Sequence, residues 1–196
     1  MSALLHDIAE HGGPDRLTFS ELAERLHPRA WGGLLVIFSV INAIPLPPGL
    51  NIFFAIPLAI LSAQMALGRP TPWFPARFDR RGVTRDELRR LIAKFQPIER
   101  RAERLFKPRL PRLTGPLATR IIALMCLVLA LFTTLPVVHV VPAAVILLFG
   151  VSLLYRDGLV VILASIATVT GFVTAWFMVR SGLLALSFVT SWLGHP

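Results

Sequence analysis

Two amides and two guanidinium groups stand out from an apolar chain. Asn42 and Asn51 flank the stretch INAIPLPPGLN, where Pro45, Pro47, Pro48 and Gly49 interrupt a greasy run, and Arg69 and Arg156 each close such a run. In lipid an amide must hydrogen-bond, and carbonyls freed around prolines are its nearest acceptors. The same amides, with exposed backbone, would also line a polar cavity for a lipid-linked headgroup. A guanidinium fork matches the oxygens of a phosphate, while a cation at the end of an apolar run also serves as a cytoplasmic anchor. Asn42, Asn51, Arg69 and Arg156 are therefore the candidate ligand-binding residues. Pro45, Pro47, Pro48, Gly49 and Pro136 are the candidate turn residues.

What the chain lacks narrows the chemistry further. An enzyme working within a membrane needs an acid, base, nucleophile or metal at reachable depth. The apolar tracts hold no Asp or Glu, and His139 is their single histidine. One imidazole beside a Pro-marked turn reads as a turn residue. The histidines are scattered, and the lone Cys126 reads as a small buried hydrophobe. No catalytic residue, metal ligand or cofactor is expected, and the chain reads as non-enzymatic.

The elements that hold these groups are membrane elements. Hydrophobic residues make up 55% of the 196, with a mean hydropathy of +0.67, so charges must crowd together. Residues 30–68, 121–155 and 158–179 carry no Asp, Glu, Lys or Arg. Each tract exceeds the ~20 apolar residues that cross a bilayer. Between Arg69 and Arg120 stand 15 Lys/Arg against 5 Asp/Glu, whereas residues 1–29 hold 3 against 5. Basic loops beside membrane segments stay cytoplasmic, and this one, held between two membrane tracts, suits anionic headgroups rather than nucleic acid. Within it, Thr84 and Glu87 have capping-box spacing. Leu88, Leu91, Ile92 and Phe95 then form an apolar face. A second amphipathic helix follows over 98–105, and Trp73 and Phe74 suit an aromatic belt.

The first half of the chain returns in the second. An uncharged arm after Arg29 meets Pro45, and one after Arg120 meets Pro136; a second arm then ends at Arg69 or Arg156. LTFSEL and VTRDEL, each upstream of such a tract, share Thr-x-x-Glu-Leu. The expected fold is an all-α integral membrane protein forming a single membrane domain over 1–196. After a leader, 1–29, come two repeated Pro-broken helical hairpins, 30–68 and 121–155, re-entrant or spanning. The interfacial helices of 69–120 lie between them, and C-terminal membrane segments, 158–196, follow. In the last part 158–179 should span, Arg180 should emerge, and 181–196 should turn back or lie on the surface. Ala167, Gly171 and Ala175 give that helix a small-residue face suited to close helix approach, compatible with a homo-oligomer.

INAIPLPPGLN, then ALGRPTPWFP, LTGP and YRDG in this order, resemble the ExoD-like exopolysaccharide-synthesis family of bacterial membrane proteins. The resemblance spans roughly 17–180. Its second hairpin departs from the expected Pro-rich turn, with LPVVHVVPA there, and Tyr155 stands where an acidic residue is usual. The resemblance implies a multi-pass protein of the bacterial inner membrane that supports surface polysaccharide production, and it supplies no catalytic residues. Two roles follow: binding or moving a polyprenyl-phosphate-linked or other anionic lipid, or acting as scaffold or regulator for polysaccharide synthesis or export proteins.

Overall fold

Thr18 and Glu21 open the first helix with a reciprocal cap. The Thr18 N–H donates to Glu21 Oε2 at 3.0 Å, and the Glu21 N–H to Thr18 Oγ1 at 3.2 Å. Two orphan donors are satisfied, as Thr-x-x-Glu spacing predicts. In the computed structural model, which describes residues 16–26, 28–44, 49–74, 83–84, 90, 102, 106, 108–134 and 139–193, this helix is α1, Phe19–Leu26. After it come α2 (Pro28–Ala43), α3 (Leu50–Ala66), α4 (Pro116–Phe132), α5 (Val140–Tyr155) and α6 (Gly158–Leu193). A 3-10 turn, Pro111–Thr114, leads into α4. The described residues are helical apart from connections and one small antiparallel bridge, β1 (Arg16–Leu17) with β2 (Val83–Thr84).

The bridge holds Thr84 opposite Arg16 in β2, with the extended backbone that an N-cap residue also adopts. Of the two expected amphipathic helices only Thr84, Arg90 and Ala102 are described; the rest lies outside the described residues.

Helices stop on both sides of each proline-marked stretch. α2 ends at Ala43 and α3 begins at Leu50; α4 ends at Phe132 and α5 begins at Val140. Pro45, Pro47, Pro48 and Pro136 themselves lie outside the described residues. Gly49 precedes α3 with φ 101°, a backbone that side chains avoid. The four arms have 16 or 17 residues. They therefore rise about 24–26 Å, less than the ~30 Å hydrocarbon core.

The arms pair crosswise. α2 packs most extensively against α5, and α3 against α4, so the first arm of each hairpin meets the second arm of the other. The α2–α5 contact brings backbones together: a Cβ on Gly32 would lie 2.7 Å from Gly150 O and from Leu154 N. One on Gly150 would lie 3.0 Å from Val36 N. Residue 32 near 154 and residue 36 near 150 mean antiparallel helices, and only hydrogen at both positions lets them approach this closely.

The interior is mainly apolar, and what departs from a water-soluble bundle is the apolar exterior. Leu35, Leu58, Ile122, Ile146 and Phe149 fill the interior, but Ser39, Asn42, Asn51, Ser62, Gln64 and Thr133 are buried with them. Large apolar side chains cover the outside as well, among them Ile37, Ile56, Leu124, Leu131, Val141 and Phe53, which is 69% exposed. Scattered exposed hydrophobes are ordinary; a continuous apolar exterior marks contact with something other than water.

α6 is a single 36-residue helix, about 54 Å long. The expected break after Arg180 does not occur, since the lone Gly182 costs only about 1 kcal/mol in a helix. Its first turns bury Val160, Val161 and Ala164 against the bundle, and Ala167 packs on the core. Beyond Thr168 nearly all described side chains are exposed, and Gly171 faces open space. Among the described residues one segment, the 24 residues Gly158–Ser181, is long and apolar enough to cross a membrane.

Gly150→Leu should separate α2 from α5, because the added side chain meets backbone that cannot yield. Overpacking of this kind costs about 1–3 kcal/mol or more. Thermal unfolding in detergent micelles should show a clearly lowered midpoint, whereas Gly171→Leu, which points into open space, should leave it unchanged.

Candidate functional site

Breaking helices in an apolar interior leaves carbonyls and N–H groups without partners, and these must be satisfied locally. The hairpin tips do this for one another. Asn51, in the first turn of α3, donates through Nδ2 to the carbonyls of Thr133 (3.0 Å) and Thr134 (3.3 Å) at the end of α4. Its Oδ1 accepts the Gly49 N–H at 3.2 Å. One amide therefore closes the start of one helix and the end of another.

Asn42 lies in the same cluster. Its Nδ2 donates to Thr133 Oγ1 at 3.4 Å, while that hydroxyl donates to Ala130 O at 2.6 Å. The hydroxyl's only hydrogen is committed, so it can only accept from Asn42, and this fixes the amide orientation. Asn42 Oδ1 has no hydrogen-bond partner although the residue is 0% exposed. His139, at the start of α5, is buried too. Asn42 and Asn51 thus meet through Thr133. Among the described residues they bond the end of the partner hairpin, and Asn51 also bonds Gly49 of its own turn; residues 45–48 lie outside the described residues.

The arginines stand at the opposite end of the arms. From Asn51 to Gly68 the α3 axis runs about 25 Å, so the two asparagines and two arginines do not form one site. Gly68 ends α3 in a left-handed turn, φ 74°, with the Arg69 N–H reaching back to Gln64 O at 3.3 Å. The Arg120 guanidinium lies over that glycine so closely that a Cβ there would be 2.5 Å from Nη2. A cation suits the negative end of the helix dipole. Gln64 clamps the exit segment. Its Oε1 accepts the Trp73 N–H at 2.7 Å, and Nε2 donates to Trp73 O at 3.4 Å. Trp73 is exposed, whereas the buried Trp31 donates its indole N–H to Pro70 O at 3.4 Å.

Arg156 ends α5 in the left-handed region, φ 54° and ψ 40°, and is exposed. Asp157 is buried; its Oδ1 accepts the Leu159 N–H at 3.0 Å and so caps α6. Tyr155 stacks on Phe106, ring centroids 5.4 Å apart, and the Gly158 N–H donates to Arg109 O at 2.7 Å. The turn expected at RDG is present, with Asp157 committed to the helix start. Among the described residues no group of three or more His, Cys, Asp or Glu could hold a metal ion.

The order of these features along the chain is that of a known family. A family model described as "Exopolysaccharide synthesis, ExoD" matches residues 1–177. The chain belongs to the ExoD family. It is 28% identical over 152 residues to "Protein ExoD" of Rhizobium meliloti (strain 1021), covering 74% of this chain and 63% of that protein. This chain thus spans less than two thirds of the relative's length. No solved structure matches it. Membership links the chain to exopolysaccharide synthesis and names no catalytic activity.

Within this ExoD chain, sequence reasoning missed Thr133 and Thr134, whose carbonyls anchor Asn51. Their position directly before LPVVHVVP, where a helix must end, was the available signal. Arg109 and Phe106 were absorbed into the basic segment, and nothing local marks their contact with residues 155–158.

Asn51→Asp keeps the acceptor for Gly49 but removes both donors and turns a carboxylate toward two carbonyls. It should destabilise the protein by about 2–3 kcal/mol, more than Asn51→Ala, with thermal unfolding in detergent as the measurement. Equal stability of Asn51→Asp and the parent would show that the tip contact carries no weight.

Proposed function

We propose that this chain is a multi-pass protein of the bacterial inner membrane that supports exopolysaccharide synthesis or export without being an enzyme. It does so by binding or moving a polyprenyl-phosphate-linked or other anionic lipid. The observation that carries this reading is the apolar exterior: large apolar side chains cover the outside of the crossed hairpins, while several amides and hydroxyls are buried within the core. Such an exterior is stable in acyl chains and costly in water.

The reading includes an internal repeat. One offset of 91 residues carries Asn42 onto Thr133, its own hydrogen-bond partner. The same offset carries buried Trp31 onto Ile122, Leu35 onto Cys126 and Ser39 onto Ala130, and exposed Ile37 onto Val128. In the second arms a second constant offset carries Asn51 onto His139, Leu58 onto Ile146, Leu61 onto Phe149 and Met65 onto Leu153, all buried. Exchanging the hairpins also exchanges the α2–α5 and α3–α4 contacts. Repeated broken hairpins are a recurrent plan for moving polar cargo through membranes. With both hairpins entering from one side, the exposed Arg69, Arg109, Arg120 and Arg156 belong to one basic face, suited to phosphate-bearing lipids.

Two measurements test this. Purified protein in nanodiscs should bind labelled polyprenyl phosphate, and Arg69→Ala should weaken that binding; no binding by the parent protein removes the proposal. A deletion strain should lose surface polysaccharide while lipid-linked precursor accumulates. Loss of polymer without accumulation favours a scaffold for synthesis or export proteins instead. In a Cys126→Ala background, Leu67→Cys should react with an impermeant thiol reagent from the cytoplasmic side only.

A further inference from the structure

Resting on the anionic-lipid reading above, we propose that Arg109 and Arg156 form a two-guanidinium clamp for a doubly charged lipid phosphate at the α5–α6 turn. The first ground is backbone conformation. Arg156 holds φ 54°, where a side chain is disfavoured and glycine is not. The comparable end of the first hairpin is Gly68, φ 74°, followed by a backbone bond from Arg69 to Gln64 O that Asp157 to Ser152 O repeats. The sequence pairs Arg69 with Arg156, but the geometry pairs Gly68 with Arg156 and Arg69 with Asp157. An arginine thus occupies a position that glycine would fill with less strain, and its side chain is exposed.

The second ground is Arg109. Its carbonyl accepts the Gly158 N–H at 2.7 Å, and Gly158 lies only two Cα steps of about 3.8 Å from Arg156. A Cβ on Gly158 would lie 2.8 Å from Leu110 O, so the two segments are in backbone contact. Leu110 is itself left-handed, φ 49°, and Phe106 stacks on Tyr155. Two exposed arginines therefore belong to one turn, their backbones joined through Gly158. Asp157 between them is buried and faces the start of α6, so it is not presented to the surface. Two forks match a phosphate monoester with two charges better than a diester with one. The stacked rings beside them suit the headgroup level, where aromatic side chains collect.

A cation at the end of α5 would also favour the helix dipole, and the two roles separate experimentally. Arg156→Gly should raise the melting temperature by about 2–4 °C, since it relieves a left-handed side chain. In nanodiscs it should bind polyprenyl phosphate about tenfold more weakly, a loss of one charge-assisted contact. Arg109→Gln should weaken binding similarly with an unchanged melting temperature, and Arg180→Gln should change neither. The parent protein should prefer polyprenyl phosphate to phosphatidylglycerol, and inorganic phosphate should compete only weakly. Strong competition by inorganic phosphate would identify the ligand as the free ion rather than a lipid and overturn the proposal. A lowered melting temperature in Arg156→Gly, or undiminished affinity in both variants while the parent binds, also overturns it and leaves the broader reading standing.

Discussion

The structure depends on how two interrupted helices in an apolar interior dispose of their backbone ends. Each interruption strands carbonyls on one side and N–H groups on the other, and these need partners. Asn51 answers this with one amide, which donates to the last carbonyls of α4 and accepts from the backbone that enters α3. Because its acceptors belong to the other hairpin, neither hairpin tip is complete alone. The crosswise pairing of arms follows: once the tips are bonded, the antiparallel arms lie alongside one another, and Gly32 and Gly150 remove the atoms that would hold them apart.

Polar groups inside and apolar groups outside are then consequences of one constraint. A tip that bonds to its partner must bring amides and hydroxyls to the centre, and the outward faces of the same helices hold side chains that water would reject. Short arms are compatible with this arrangement. At about 25 Å they are shorter than the ~30 Å of a hydrocarbon core. α6 differs in kind: it is unbroken, packs only its first turns on the bundle, and reaches the length of a full crossing.

Much of this is legible in the sequence because its signals are coarse and local. Uncharged tracts, prolines between apolar arms and the Thr18–Glu21 cap each report a strong preference of a short stretch. The family, too, is legible, since PLPPG followed by GRPTPW keeps its order. What escapes is whatever depends on a partner far along the chain. Nothing near Asn51 names Thr133, and nothing near Arg109 names Gly158. Thr84 carries the same capping pattern as Thr18, and its pairing with Arg16 is a contact that a local pattern does not register. Arg180 suggested a helix end on charge alone, yet no residue around it has the geometry to stop a helix, so α6 continues.

The two hairpins, if copies of one unit, have diverged where polar function would be expected and agree where packing demands it. Leu58 and Ile146, or Leu61 and Phe149, differ in shape but not in being buried and apolar. At the tips the pair is Asn51 and His139, an amide fully engaged by backbone in one half and an imidazole in the other. At the feet it is Gly68, covered by the guanidinium of Arg120, and Arg156, whose own guanidinium is exposed. Packing alone gives no reason for a left-handed arginine, since glycine satisfies the same turn with less strain. The arms thus match in burial and differ at their polar ends.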